Sequence, residues 1–193
     1  MVYVRAWDET KPVGATTQSS DIDLAFQQLK ADLRERLNDL VADWTTDPVT
    51  FSYKCWVYPS VNLSVANNSE TAVGFDSEIV DVGNLHDTVT NNSRITVPAG
   101  AVKGLWVVHG HVDWAQNGTG NREARLYKNG ATFLGRCSTV PSATDFVTDD
   151  VWGAVLAPVA GDYFEMKVTQ TSGGNLNLLG GLGSAYLEAR YVP

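Results

Sequence analysis

The sequence predicts a mainly β chain in which an N-terminal arm and an α-helix precede an antiparallel β-sandwich. Three observations carry that prediction: an apolar stripe at helical spacing confined to residues 22–44, short β-rich segments from residue 50 to the C-terminus, and Gly, Asn, Asp and Pro between those segments. No helical pattern interrupts the β-rich segments, which excludes a parallel βαβ sheet.

A length of 193 residues suits one ordinary domain plus an appendage. The chain is 44% hydrophobic and 19% charged with 17 glycines, a balance that fits a folded β protein better than a disordered one. Its formal net charge of -8 repels polyphosphate, and no Lys/Arg stripe interrupts the acidity, so nucleic acid is not expected as a partner. No apolar run approaches the roughly 18 residues that span a bilayer, so membrane insertion is not expected. The start, Met1-Val2-Tyr3-Val4-Arg5-Ala6-Trp7-Asp8, lacks the charged-then-apolar layout of a signal peptide, and the chain reads as soluble and made in a cytoplasm. Cys55 and Cys137 stand far apart without metal-like spacing and read as buried thiols.

Residues 1–19 hold isolated apolar anchors among polar residues and turn formers, the pattern of an extended arm ordered by a partner. Val4, Trp7 and Pro12 are its candidate anchoring residues. Ser20 then offers an N-cap, with Asp21 and Asp23 at the positive end of the helix dipole. Ile22, Phe26, Leu29, Leu33, Leu37, Leu40 and Trp44 follow on one face, giving a helix within 20–46 of about 37 Å at 1.5 Å per residue. Ile22, Leu33 and Trp44 repeat every 11 residues, the period of a straight or slightly right-handed bundle seam. Gln28, Asp32, Glu35, Arg36 and Asp39 make the opposite, solvated face. The stripe has two possible homes, the chain's own β domain or two further copies of itself in a three-helix bundle or coiled coil.

Residues 47–60 read as a connecting strand or linker and 61–193 as the sandwich domain. The candidate strands are 50–58, 61–65, 71–80, 93–97, 104–114, 123–128, 132–138, 151–156, 163–170 and 185–192. Lys128-Asn129-Gly130-Ala131 is the strongest turn signal, because Asn-Gly supplies the two positive-φ positions of a type I′ hairpin.

Along 104–114, alternation places His109, His111 and Asp113 on one face and Trp106, Val108, Val112 and Trp114 on the other, apolar face. The last strand is two-faced in the same way, with Tyr186, Glu188, Arg190 and Val192 opposite Ala185, Leu187, Ala189 and Tyr191. Two imidazoles two residues apart on a strand are a weak candidate for a transition-metal site, and a hydrogen-bonded polar patch is the simpler reading. No metal and no cofactor is therefore expected. Trp152, Tyr127 and Tyr163 near loop ends offer faces to sugars, although core packing is their simplest role. No Gly-x-Ser-x-Gly elbow, P-loop or His-Glu-x-x-His is present, and Asp149, Asp150 and Glu123 form no evident carboxylate pair, so the chain is not expected to be an enzyme.

Three stretches carry a resemblance. Phe75-Asp76-Ser77-Glu78, Leu85-His86-Asp87-Thr88 and Arg94-Ile95-Thr96-Val97-Pro98-Ala99-Gly100 lead into Arg125-Leu126-Tyr127-Lys128-Asn129-Gly130 and Val155-Leu156-Ala157-Pro158-Val159-Ala160-Gly161-Asp162-Tyr163-Phe164-Glu165. Over about residues 60–193 this resembles the trimeric jelly-roll domains of the complement-component and tumour-necrosis-factor-like superfamily. The front, Arg5-Ala6-Trp7-Asp8-Glu9-Thr10-Lys11-Pro12 with Asp21-Ile22-Asp23 and residues 29–37, is similar to N-terminal segments of phage fibre and minor structural proteins.

The resemblance implies a homotrimer in the virion of a tailed bacteriophage. It implies a short fibre or decoration protein attached to other virion proteins of the capsid, collar or tail, with a receptor-binding module for a host surface glycan or protein as the alternative. It also turns the His109, His111 and Asp113 face toward neighbouring subunits near the threefold axis, joined there by Tyr186, with Glu188 and Arg190 as an ionic network. The chain departs from animal members of that superfamily, which are secreted or membrane-anchored, in lacking a signal peptide and a Gly-X-Y stalk. The sequons at Asn62, Asn67, Asn91 and Asn117 are idle on this reading.

Overall fold

The computed structural model describes Leu29, residues 53–101 and residues 104–192. The chain divides into two units, 1–49 and 50–193. In the first, Leu29 is helical and half exposed. Val4, Trp7, Pro12, Ile22, Phe26, Leu33, Leu37, Leu40 and Trp44 lie outside the described residues.

In the second unit the strands are β1 (Lys54–Tyr58), β2 (Leu63–Val65), β3 (Thr71–Ala72), β4 (Ser77–Val82), β5 (Arg94–Thr96) and β6 (Leu105–Trp114). They continue as β7 (Arg122–Lys128), β8 (Thr132–Thr139), β9 (Val147–Leu156), β10 (Tyr163–Gln170), β11 (Leu176–Leu178) and β12 (Ala185–Val192). One sheet runs β2-β11-β6-β12-β1-β4, with β9 on the other edge of β6. The second runs β3-β10-β7-β8, with β5 also on β10. The paired strands are antiparallel, as the absence of helical crossovers requires.

The core lies between the sheets and is written in the two-residue period of the strands. Trp106, Val108, Val112 and Trp114 of β6 are fully buried against Leu126, Phe164, Met166 and Val168 from the facing sheet. The Trp106 indole N–H donates to Ala101 O at 3.0 Å, which satisfies the polar atom that its burial would otherwise strand. The β7–β8 hairpin turns through Asn129 and Gly130 at φ of 55° and 70°, and Ala131 N donates to Lys128 O at 3.3 Å.

Four sequence expectations change. The segment 71–80 is not one strand: β3 pairs with β10 and β4 with β1, so the chain crosses between sheets at residues 73–76. Buried Val73 and Phe75 carry the crossing, and the Asp76 carboxylate fixes its exit by accepting from Ser60 N and Ser60 Oγ, each at 2.6 Å. Strand β9 begins at Val147, four residues before the expected start, so Asp149 and Asp150 lie within a strand. The short strand β11 follows a Gly-rich loop and carries only three residues, too few to show alternation. Finally, Lys54–Tyr58, assigned to the connecting segment, is paired on both edges by β12 and β4.

The edge strands β8 and β9 approach each other closely where each has a glycine. A Cβ on Gly135 would lie 2.2 Å from the Trp152 carbonyl oxygen, and one on Gly153 would lie 2.9 Å from Leu134 Cβ. Gly135→Ala therefore forces two backbones apart and is expected to cost roughly 1–3 kcal/mol in denaturant unfolding. Gly174→Ala is the control, because nothing lies within 4 Å of its added Cβ. Equal stability of the two variants would remove this account of the close approach of β8 and β9.

Candidate functional site

The outward face of the first sheet is built by the same alternation that fills the core. Its pairing places Trp152, His109, Glu188, Trp56 and Val80 in one row across β9, β6, β12, β1 and β4. Asp150, His111 and Tyr186 form the next row on one side, and Ala154, Val107, Arg190, Lys54 and Val82 the next on the other. Beyond these lie Leu156, Leu105 and Val192. The face thus grades from apolar at one end to polar and aromatic at the other.

At the polar end the two histidines share one acceptor. His109 Nε2 lies 3.0 Å and His111 Nδ1 2.9 Å from Asp150 Oδ1, and His111 Nε2 lies 3.6 Å from Asp113 Oδ1. Trp152 stacks on His109 with centroids 3.8 Å apart and planes 6° from parallel. Tyr186 stacks on His111 at 4.9 Å and meets both His109 and Trp56 edge-on. The Trp56 indole nitrogen is buried without a hydrogen-bond partner. Trp152 is 60% exposed, so it is a surface aromatic and not the core residue that its size suggests. Tyr127 and Tyr163 also lie outside the core: a Lys167 ammonium sits over the first ring and the Arg94 guanidinium over the second.

His109, His111, Asp113, Tyr186, Glu188 and Arg190 therefore share one face, and the structure brings the histidines and Tyr186 into contact. Glu188 and Arg190 bond to each other, and Arg190 is exposed, so their ion pair stays on β12. The carboxylate that serves the histidines is Asp150, which sequence reasoning missed together with Trp56, while Trp152 reads from the sequence as a sugar-facing or core aromatic and not as a neighbour of the histidines. The signal for Asp150 was the alternation of Val147, Asp149 and Val151 with Thr148, Asp150 and Trp152, legible once the strand is extended back to Val147. Among the described residues, no group of three or more His, Cys, Asp or Glu side chains is arranged to hold a metal ion. Both cysteines are free; Cys55 is buried, and that burial pushes its thiol pKa up, while Cys137 packs against the core.

Asp149 and Asp150 are neighbours in sequence and opposites in environment. Asp149 points inward, fully buried, where desolvation raises its pKa despite hydrogen bonds from Thr139 Oγ1 and, at 3.1 Å, Trp114 Nε1. Asp150 points outward; desolvation opposes its charge, but the bonds from His111 and His109 outweigh it and lower the pKa. A raised folded-state pKa gives stability that is present at low pH and lost as pH rises through it, and a lowered one gives stability lost as pH falls through it. Asp149→Asn can keep the Trp114 bond through its oxygen and donate to the Thr139 hydroxyl through its nitrogen. It should raise the thermal midpoint at pH 8 more than at pH 4, by about 2–4 °C for each 1 kcal/mol. Asp150→Asn should lower the midpoint at pH 7 and leave it unchanged once the parent carboxylate is protonated, with a smaller effect because its side chain is 51% exposed. Parallel midpoint-versus-pH curves for parent and variants would contradict both assignments.

No family model and no curated protein sequence matches the chain. Among solved structures, murine APRIL at pH 5.0 superposes with a TM-score of 0.57 at 13% identity, covering 73% of this chain and 99% of its own. The globular domain of the zebrafish complement 1qA protein gives 0.52 at 12% identity, covering 73% and 98%. Eiger TNF from S. frugiperda gives 0.50 at 14% identity, covering 74% and 93%. At these identities the likeness establishes the fold: the sandwich is a jelly roll of the tumour-necrosis-factor and C1q type.

Proposed function

We propose that the chain is a non-enzymatic, self-associating structural protein, a short homotrimeric fibre or decoration protein of a tailed-bacteriophage virion held to capsid, collar or tail by its N-terminal segment. The observation that carries the self-association is the apolar outward face of the first sheet. Trp152 is 60%, Leu156 77% and Val192 47% exposed on it, in register with Leu105 and Val107. Apolar side chains contiguous over a sheet face mark an interaction surface, and copies of this chain are the occupant that the jelly-roll likeness favours. In this assembly the Leu105, Leu156 and Val192 end supplies the dry contact. The His109, His111, Asp113 and Tyr186 end, with Glu188 and Arg190 at its margin, supplies the hydrogen-bonded one.

The virion reading is supported by the similarity of residues 5–12, 21–23 and 29–37 to N-terminal segments of phage fibre and minor structural proteins. Receptor binding at the tail is the second reading, favoured by an open polar groove on the opposite sheet. In sedimentation at micromolar concentration the full chain is expected to be a trimer, and Leu156→Glu is expected to shift it toward folded monomer. The trimer should persist after removal of residues 1–44, because the β domain presents the face. A parent chain that sediments as a stable monomer would sink the self-association. Labelled antibody on phage particles is expected to mark capsid, collar or tail, and the absence of label would sink the virion assignment.

A further inference from the structure

We propose that the groove beside the β4–β5 loop binds a sugar bearing a single carboxylate, with Arg94 holding the carboxylate. The groove measures about 440 Å³ and is lined by Asn84, Asp87, Thr90, Asn91, Arg94 and Tyr163 among others. That volume falls within the roughly 300–1,000 Å³ of small-molecule sites.

Strands β5 and β10 set its floor. Ile95 and Phe164 point into the core, so their neighbours Arg94, Thr96, Tyr163 and Glu165 share the outward face. The Arg94 guanidinium lies 4.1 Å above the Tyr163 ring. Tyr163 is itself held by Asn129, whose Oδ1 accepts from Tyr163 N and whose backbone N donates to Tyr163 O, both at 2.9 Å. Arg94 Nε is buried without a hydrogen-bond partner; the nearest carboxylate oxygen, Glu165 Oε1, is 4.0 Å away and already accepts from Ser93 Oγ at 2.7 Å. Among the described residues, nothing accepts a hydrogen bond from the terminal guanidinium nitrogens either. A guanidinium held over an aromatic ring, with its terminal nitrogens unengaged, is pre-organised for a planar two-oxygen acceptor.

The walls are equally set in advance. Asp81 accepts from Leu85 N and His86 N, and the His86 ring is fixed between Glu78 Oε1 at 2.9 Å and Asn92 O at 3.0 Å. Asp87 accepts from Val89 N and Thr90 N, each at 2.8 Å. Asn84 and Asn91 sit at φ of 60° and 55°, and their side-chain amides, like the Thr90 hydroxyl, engage nothing among the described residues. These amides and hydroxyls, with the outer oxygen of Asp87, match the hydroxyls of a sugar ring. Charge selects the anion: Arg94 and Asp87 both line the groove and Glu165 lies beside Arg94, in a chain of net charge -8, so a doubly charged phosphate is disfavoured more than a single carboxylate. The site is on the sheet opposite the proposed association face, so it stays open in an assembly and neither depends on trimerisation nor on the virion assignment.

The test is a two-dimensional NMR titration of the full chain with glucuronate and N-acetylneuraminate, with glucose and inorganic phosphate as comparators. Saturable shifts at millimolar concentration confined to residues 84–96 and 161–163 are expected for a carboxylated sugar, with glucose and phosphate at least tenfold weaker. Arg94→Gln and Arg94→Lys should each weaken binding about tenfold, since neither retains the fork. Thr90→Ala, whose hydroxyl supports nothing in the fold, should weaken it several-fold, and Trp152→Ala should leave it unchanged. No saturable shift with either acid, equal response to phosphate, or binding unaffected by Arg94→Gln and Thr90→Ala would each overturn the proposal.

Discussion

Strand β6 is the element on which the remainder of the domain depends. It is paired along both edges, by β9 on one and by β12 and then β11 on the other, so its ladder fixes the register of the whole first sheet. Its inward face places Trp106 and Trp114 at the two ends of the core, and its outward face carries Leu105, Val107, His109, His111 and Asp113. A slip of one residue would exchange these sets, exposing two indoles and burying two imidazoles and a carboxylate. The cost of that exchange makes the strand's pleat the common cause of the packed interior and of the graded exterior face.

Polar groups inside the sandwich reinforce the same register. Gln170, fully buried, donates through Nε2 to Val65 O and Gly174 O and accepts from Ser172 N, tying β10 to β2 and to the loop before β11. Arg122 is buried with its guanidinium capping the carbonyls of Asn117, Thr119 and Asn121, which gathers the β6–β7 loop around one side chain. Asp149 is held by Trp114, so the indole that closes one end of the core also determines which face of β9 is inward. Each of these groups is costly to bury unpaired, and these hydrogen bonds form only in the observed alignment of strands.

Alternation made the long strands legible: β6, β10 and β12 have interior and exterior residues that differ in kind, and Asn129-Gly130 announces its own turn. The crossing at residues 73–76 was not legible, because a strand that changes sheets keeps its β-rich composition and differs only in what it pairs with. Strand β9 was shortened because Asp149 looks like a turn residue; its burial depends on Trp114 and Thr139, which no local pattern connects to it. The site was legible on β6 and β12 for the same reason as the core. Asp150 was lost with the start of β9, and the groove at Arg94 was invisible because its guanidinium, Tyr163 and the asparagine turns come together only through the β5–β10 pairing.

The two outward faces of the sandwich differ in a way that bears on what each can bind. The first sheet offers stacked aromatics and aliphatic side chains whose exposed atoms gain by leaving water, and its carboxylates Asp150 and Glu188 are bonded to two imidazoles and to Arg190. The second sheet is laced with ion pairs around Glu70, Glu123, Arg125, Lys167 and Glu165, which hold water and discourage close packing. At its edge Arg94 breaks that pattern, a cation stacked on a ring with its donors unengaged. An unengaged guanidinium fork in a polar groove suits a small planar acceptor. The proposed self-association and the proposed small-ligand contact thus fall on opposite sheets of the same jelly roll, one apolar on its outward face and the other polar.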